Sequence, residues 1–111
     1  MKLLHIEEHF DPKFNEHIVG PAQTGSLGTY LVYGEVKEGE TRNLGPGKGH
    51  EEILFIVKGG GLLRQDETET SIGAGQAVYL RPDFSGQLEG AAPEGIIYVS
   101  AGGHIPGGHG H

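Results

Sequence analysis

HEEILFIVKGGG, residues 50–61, carries the strongest strand signal in the chain and ends in consecutive glycines. Alternation along it puts Ile53, Phe55 and Val57 on one face and Leu54 and Ile56 on the other. Apolar residues on both faces mean a strand covered twice. In a chain this small, a second sheet and a partner subunit supply the two covers. Working outward, Leu27–Val36 (LGTYLVYGEV), Thr41–Leu44, Gln87–Glu89 and Gly95–Ala101 (GIIYVSA) read as further strands. Leu62–Gln65 and Thr68–Ile72 flank Asp66-Glu67, a tight hairpin turn, and Gln76–Leu80 follows the turn Gly73-Ala74-Gly75. Lys2–Ile6 reads as a short first strand, Phe10–Gly25 as an arm or loop, and Gly102–His111 (GGHIPGGHGH) as a mobile tail. No segment carries a 3.6-residue apolar period and no long repeat is visible, so the chain is expected to be all-β with little helix.

The 111 residues suffice for one domain. With no cysteine, disulfides, thiolate metal sites and thiol nucleophiles are excluded. A net charge of −7 argues against a nucleic-acid partner, because phosphate contacts need a basic face. No apolar run reaches the roughly 18 residues of a membrane span. The start, MKLLHIEEHF, turns acidic too soon for a signal peptide, and a cytoplasmic location is expected. Gly45–Gly49 (GPGKG) is not a phosphate loop: Arg42 stands where the first glycine of a Walker motif belongs, and Gly49 follows Lys48. Neither a serine-hydrolase elbow nor a dinucleotide fingerprint is present.

Within His50–Gly61, Glu52 opens a strand and Gly59 follows seven positions later. In Gly73–Gly86 (GAGQAVYLRPDFSG) a glycine, an apolar strand and Pro82 precede a loop. These stretches resemble the first and second motifs of the cupin superfamily, and the resemblance spans roughly Leu27 to Ala101. It implies a single-domain double-stranded β-helix, or jelly-roll barrel, over residues 27–101. Residues 1–26 form an N-terminal strand and arm, and residues 102–111 a Gly/His-rich tail. The resemblance also implies a divalent transition metal held by two histidines before the glutamate, the glutamate itself, and a histidine after the proline. The early positions fall near Pro46 and Lys48, or at Gly45 and Gly47 with a one-residue shift, and the late one at or near Gly86. Only Glu52 survives, and one carboxylate without imidazoles is a weak site.

His50 lies two residues before Glu52, so both point to one face of the strand. They form a substitute metal site, an acid–base pair, or a hydrogen-bonded pair at a strand start. Lys48 and Arg81 are candidate ligand-binding cations; Arg81 meets a carboxylate ligand or pairs with Asp83. His104, His109 and His111 in the tail are a second metal candidate, set against a tail with adventitious affinity. Tyr30, Tyr33, Tyr79 and Tyr98 are read as packing residues. The expected cavity is the barrel interior at His50 and Glu52, rimmed by Gly45–Gly49 and Asp83–Gly86. The function expected from this is small-molecule binding in a homodimeric barrel that has lost its metal histidines. Two alternatives stay open: a metal-dependent dioxygenase- or isomerase-type enzyme with a non-standard ligand set, and a structural or regulatory dimeric module.

Overall fold

The computed structural model describes residues 3–91 and 93–105. One curled antiparallel sheet of nine strands forms a half-barrel around a single core. The strands are β1 (Phe10–Asp11), β2 (Glu16–Val19), β3 (Tyr30–Val36), β4 (Thr41–Leu44), β5 (His50–Gln65), β6 (Thr68–Gly73), β7 (Ala77–Leu80), β8 (Gly86–Gly90) and β9 (Ile96–His104). Among the described residues, helix is confined to α1 (Pro21–Thr24) and a 3₁₀ turn at Ile6–Glu8.

The curl originates in β5. The two strands read separately at Glu51–Val57 and Leu62–Gln65 are one strand that changes layers midway. Its first half lies between β7 and β9, and its second half between β6 and β8. The bend has identifiable causes. Its register with β9 shifts between Ile56 and Lys58, a bulge that increases local twist. Gly59 then adopts φ +81°, and a Cβ there would lie 1.9 Å from the Gly95 carbonyl oxygen. Only glycine accepts both conditions. The first layer is therefore β7-β5-β9-β3-β2-β1, and the second is β6-β5-β8-β4.

Between the layers sit Val32, Val36, Leu54, Ile56, Leu88, Ile96 and Tyr98. The alternation expected for β5 holds: Leu54 and Ile56 are fully buried, while Ile53, Phe55 and Val57 are 54%, 40% and 48% exposed on the outer face. The hairpin at Asp66-Glu67 is also as expected, with Asp66 in the left-handed region that aspartate tolerates in turns.

The ends of the chain differ from expectation. Leu3–His5 is not a strand, and Ile6 begins the 3₁₀ turn. The Phe10–Gly25 arm contributes β1, β2 and α1, extending the first layer beyond β3. Short, mixed segments such as Glu16–Val19 carry too few residues for alternation to register. β9 continues through His104, because Gly102 and Gly103 still pair with β5. His109 and His111 lie outside the described residues.

Candidate functional site

The inner face of the first layer presents Glu16 and Ile18 from β2 and Tyr30, Val32 and Gly34 from β3. From β9 come Tyr98, Ser100, Gly102 and His104, and from β5 His50, Glu52, Leu54 and Ile56. Antiparallel register sets Tyr30 opposite Gly102 and Gly34 opposite Tyr98. Each tyrosine lies flat across the glycine facing it: a Cβ on Gly34 would fall 2.3 Å from the Tyr98 hydroxyl, and one on Gly102 would fall 2.5 Å from that of Tyr30. Each ring therefore spans one strand and reaches the next. The Tyr30 hydroxyl donates to Glu52 Oε2 at 2.8 Å. The Tyr98 hydroxyl donates to Glu16 Oε2 and accepts from Arg42 Nη1 at 3.0 Å. Arg42 also donates from Nη2 to the Glu35 carbonyl at 2.9 Å, which ties β4 to β3. The result is two tyrosine–carboxylate pairs related by a local two-fold through Val32 and Ser100.

The electrostatics follow from this placement. Burial raises the Glu16 carboxyl above its ordinary value, partly offset by the Tyr98 hydrogen bond and the Arg42 charge. Burial, then the bond to Glu52, raises the Tyr30 phenol. Burial and the Glu16 charge raise Tyr98. Both phenols stay protonated as donors throughout the physiological range.

His50 and Glu52 share the inward face, as strand parity requires. His104 joins them: it is directly opposite His50, with ring centroids 4.4 Å apart and planes tilted by 36°. Its ring lies over Gly28, where a Cβ would come within 2.2 Å of it. Tyr30 packs edge-on against His50 at 5.9 Å. His50 Nδ1 is 3.1 Å from the Lys48 carbonyl oxygen. Lys48 thus touches the site through its backbone, while its side chain is exposed.

The metal positions implied by the family resemblance do not fit a metal. Pro46 and Lys48 offer no imidazole, and Glu52 is bonded to Tyr30. A Cβ on Gly86 would lie 2.3 Å from the Arg64 carbonyl oxygen and 2.8 Å from the Phe84 ring. The Phe84 ring thus occupies the space where a side chain of residue 86 would stand. The loops expected to frame an open mouth also approach each other, since a Cβ on Gly45 would meet the Phe84 carbonyl oxygen at 2.9 Å. No group of three or more histidine, aspartate or glutamate side chains able to hold a metal occurs among the described residues.

Arg81 sits elsewhere, at a groove of about 470 Å³ between β6 and β7. Among the described residues, those strands each pair only with β5, on opposite sides of its bend, so the layers part between them. The groove reaches Leu63 and Ile72 of the core cluster, with Val78 and Phe84 packed against it. Sequence reasoning found Arg81 but not this opening, which depends on where β5 bends. It also missed Glu16 and Arg42 as partners of Tyr98.

No protein-family model matches the chain, and no curated protein matches it. Solved structures do. A cupin protein from Bacteroides fragilis superposes with a TM-score of 0.71 at 18% identity, over 86% of this chain and 81% of that one. A double-stranded β-helix domain protein from Klebsiella pneumoniae gives 0.70 at 14%, over 100% and 94%. A Cupin 2 conserved barrel domain protein from Salinispora arenicola gives 0.70 at 18%, over 96% and 91%. These likenesses agree with the strand pairing and the curl at β5: the chain has the fold of a small single-domain cupin, without a metal-binding residue cluster among its described residues.

Proposed function

We propose that this cupin barrel binds a small molecule through the groove between β6 and β7, using none of the family's metal positions. One observation carries the reading: the groove opens onto the apolar core, while Phe84 fills the space beside Gly86. A concave apolar site with a few polar groups at its edge is the usual form of a ligand pocket. The test is an NMR titration with 1-octanol, a neutral amphiphile. Amides of Leu63, Ile72 and Val78 should shift, and Thr70→Trp, which fills the groove from β6, should abolish the response. Shifts confined to other surfaces, or none, would overturn the reading.

A metal-dependent enzyme with a non-standard ligand set is the second reading, favoured by His50 and His104 standing side by side. Stoichiometric metal in untagged protein, lost in His50→Ala, would support it.

The homodimer belongs to the same proposal. Ile53 lies between Tyr79 and Ala101 on the outer face, and Phe55 between Ala77 and Val99. Beside this ridge is a hollow of about 320 Å³ at Gly102 and Gly103. Ridge and hollow on one face suit an isologous contact with a second copy. A cytoplasmic location is also part of the proposal. It rests on the chain's lack of cysteine, which leaves no disulfides to exploit an oxidising compartment. No helix among the described residues is long and apolar enough to cross a membrane.

A further inference from the structure

We infer that the groove between β6 and β7 selects a small amphipathic anion, a carboxylate on an apolar body, with the carboxylate at Arg81. The inference rests on the groove being a ligand site and adds the class of ligand. The whole chain carries 15 acidic and 8 basic side chains. The groove wall reverses that balance: Arg81 is its single charged side chain among the described residues, and it has no carboxylate. In so acidic a protein, a wall with no acid of its own lessens the repulsion that an anion would meet, the bordering carboxylates being Asp83 beside Arg81 and Glu51 bonded to Tyr79.

Arg81 is available for this role. Its nearest acid is Asp83, with Nε 3.6 Å from Oδ1, and both side chains are largely exposed. So long a contact is a weak surface pair. A ligand carboxylate can displace it with a bidentate pair. The neighbouring Tyr79 hydroxyl is already donated to Glu51 Oε1 at 2.7 Å. Gln76 accepts from the Gly73 amide through Oε1 at 2.8 Å, which leaves the NH₂ end of its amide as a donor. Thr68 and Thr70, on the same face of β6 as Ile72, line the β6 side with their hydroxyl-bearing side chains. Donors and hydroxyls thus border the groove, and Leu63, Ile72, Val78 and Phe84 form its base. A cation would find no partner in the wall, and a wholly apolar ligand would leave Arg81 unused. At about 30 Å³ for each water-sized atom, the volume suits a ligand of roughly fifteen non-hydrogen atoms or fewer.

The experiment compares octanoate, 1-octanol and octylammonium by amide chemical-shift titration of the full chain, in wild type and Arg81→Gln. Arg81 is exposed, so the substitution leaves the core intact, and an unchanged melting curve verifies this. Octanoate should bind about tenfold more tightly than 1-octanol, and octylammonium most weakly. Arg81→Gln should bring octanoate down to the level of 1-octanol and leave 1-octanol unchanged. If octanoate and 1-octanol bind the groove alike in wild type, or if the preference survives Arg81→Gln, the anionic class is wrong and the groove reading stands. If none of the three probes shifts groove amides, the groove reading falls and this inference falls with it.

Discussion

Gly34→Ala places the new methyl 2.3 Å from both the Cζ and the hydroxyl of Tyr98, and 2.7 Å from Cε1. Carbon atoms in contact sit about 3.5–4.0 Å apart, so the ring must move by roughly 1 Å or more. Tyr98 is fully buried and has no solvent to move into. Its hydroxyl must also leave Glu16 and Arg42. Overpacking a core costs about 1–3 kcal/mol. Losing a hydrogen bond to a charged group costs about 1.5–3 kcal/mol. Replacing a strand glycine by alanine returns about 0.5–1 kcal/mol. The net expectation is a loss of roughly 3 kcal/mol, which for a domain of this size lowers Tm by about 12 °C or more. The assay is thermal and urea unfolding followed by far-UV circular dichroism at pH 7. Gly103→Ala is the control: its nearest neighbours would be 3.6 and 3.9 Å away, so it should leave stability unchanged or raise it by up to about 1 kcal/mol. Tyr98→Phe should cost less in the Gly34→Ala background than in wild type, since the hydroxyl is already displaced there. If Gly34→Ala is as mild as Gly103→Ala, Tyr98 does not lie across Gly34, and the tyrosine–carboxylate arrangement is wrong.

Further outcomes follow from the same geometry. Glu16 has a raised folded-state value, so its contribution to stability is fully present below the ordinary carboxylate value and is lost as pH rises through the raised one. Wild type should therefore lose stability relative to Glu16→Gln across that window, with Tyr98, Arg42, Glu52 and Asp11 as the surrounding groups; a gap independent of pH would refute this. Phe55→Glu puts a charge in the centre of the exposed apolar face and should turn a dimer into a monomer in sedimentation velocity at micromolar concentration; a wild-type monomer would refute the proposed contact. Gly86→His should lower stability without adding metal affinity, because its side chain meets Phe84 and the Arg64 carbonyl; tight zinc binding measured by calorimetry would contradict the fit.

The layers were legible because β3, β5 and β9 contain apolar runs rich in β-branched and aromatic residues, and because Gly59 and Pro82 stand where the family motifs need them. The long strand β5 was read as two because a glycine run in a sequence looks like a turn. Here it is a bend, since Gly60 and Gly61 keep pairing with β6. The inner polar pairs do have a trace in the sequence. Tyr30 precedes Gly34 by four residues, and Tyr98 precedes Gly102 by four. An antiparallel register that sets one tyrosine against the other strand's glycine then forces the reverse match as well. Such a pattern becomes informative only once the pairing of β3 with β9 is known. His50 and Glu52 were placed by parity alone, whereas His104 needed the pairing of β9 with β5.

The interior therefore divides into halves of different character. Toward β2 and β3, the polar groups are matched with one another: Tyr98 with Glu16 and Arg42, and Tyr30 with Glu52. A ligand entering there must break bonds already made inside the fold, at a cost comparable to what it gains. Toward β6 and β7, each strand has an edge without a strand partner among the described residues, and Arg81, the one charged side chain of the groove among them, has a long surface contact with Asp83. A ligand arriving there displaces water and a weak ion pair while covering apolar core residues. The position that the family resemblance assigns to a metal is closed by internal hydrogen bonds and one side of the Phe84 ring, and the same ring helps line the adjoining groove between β6 and β7.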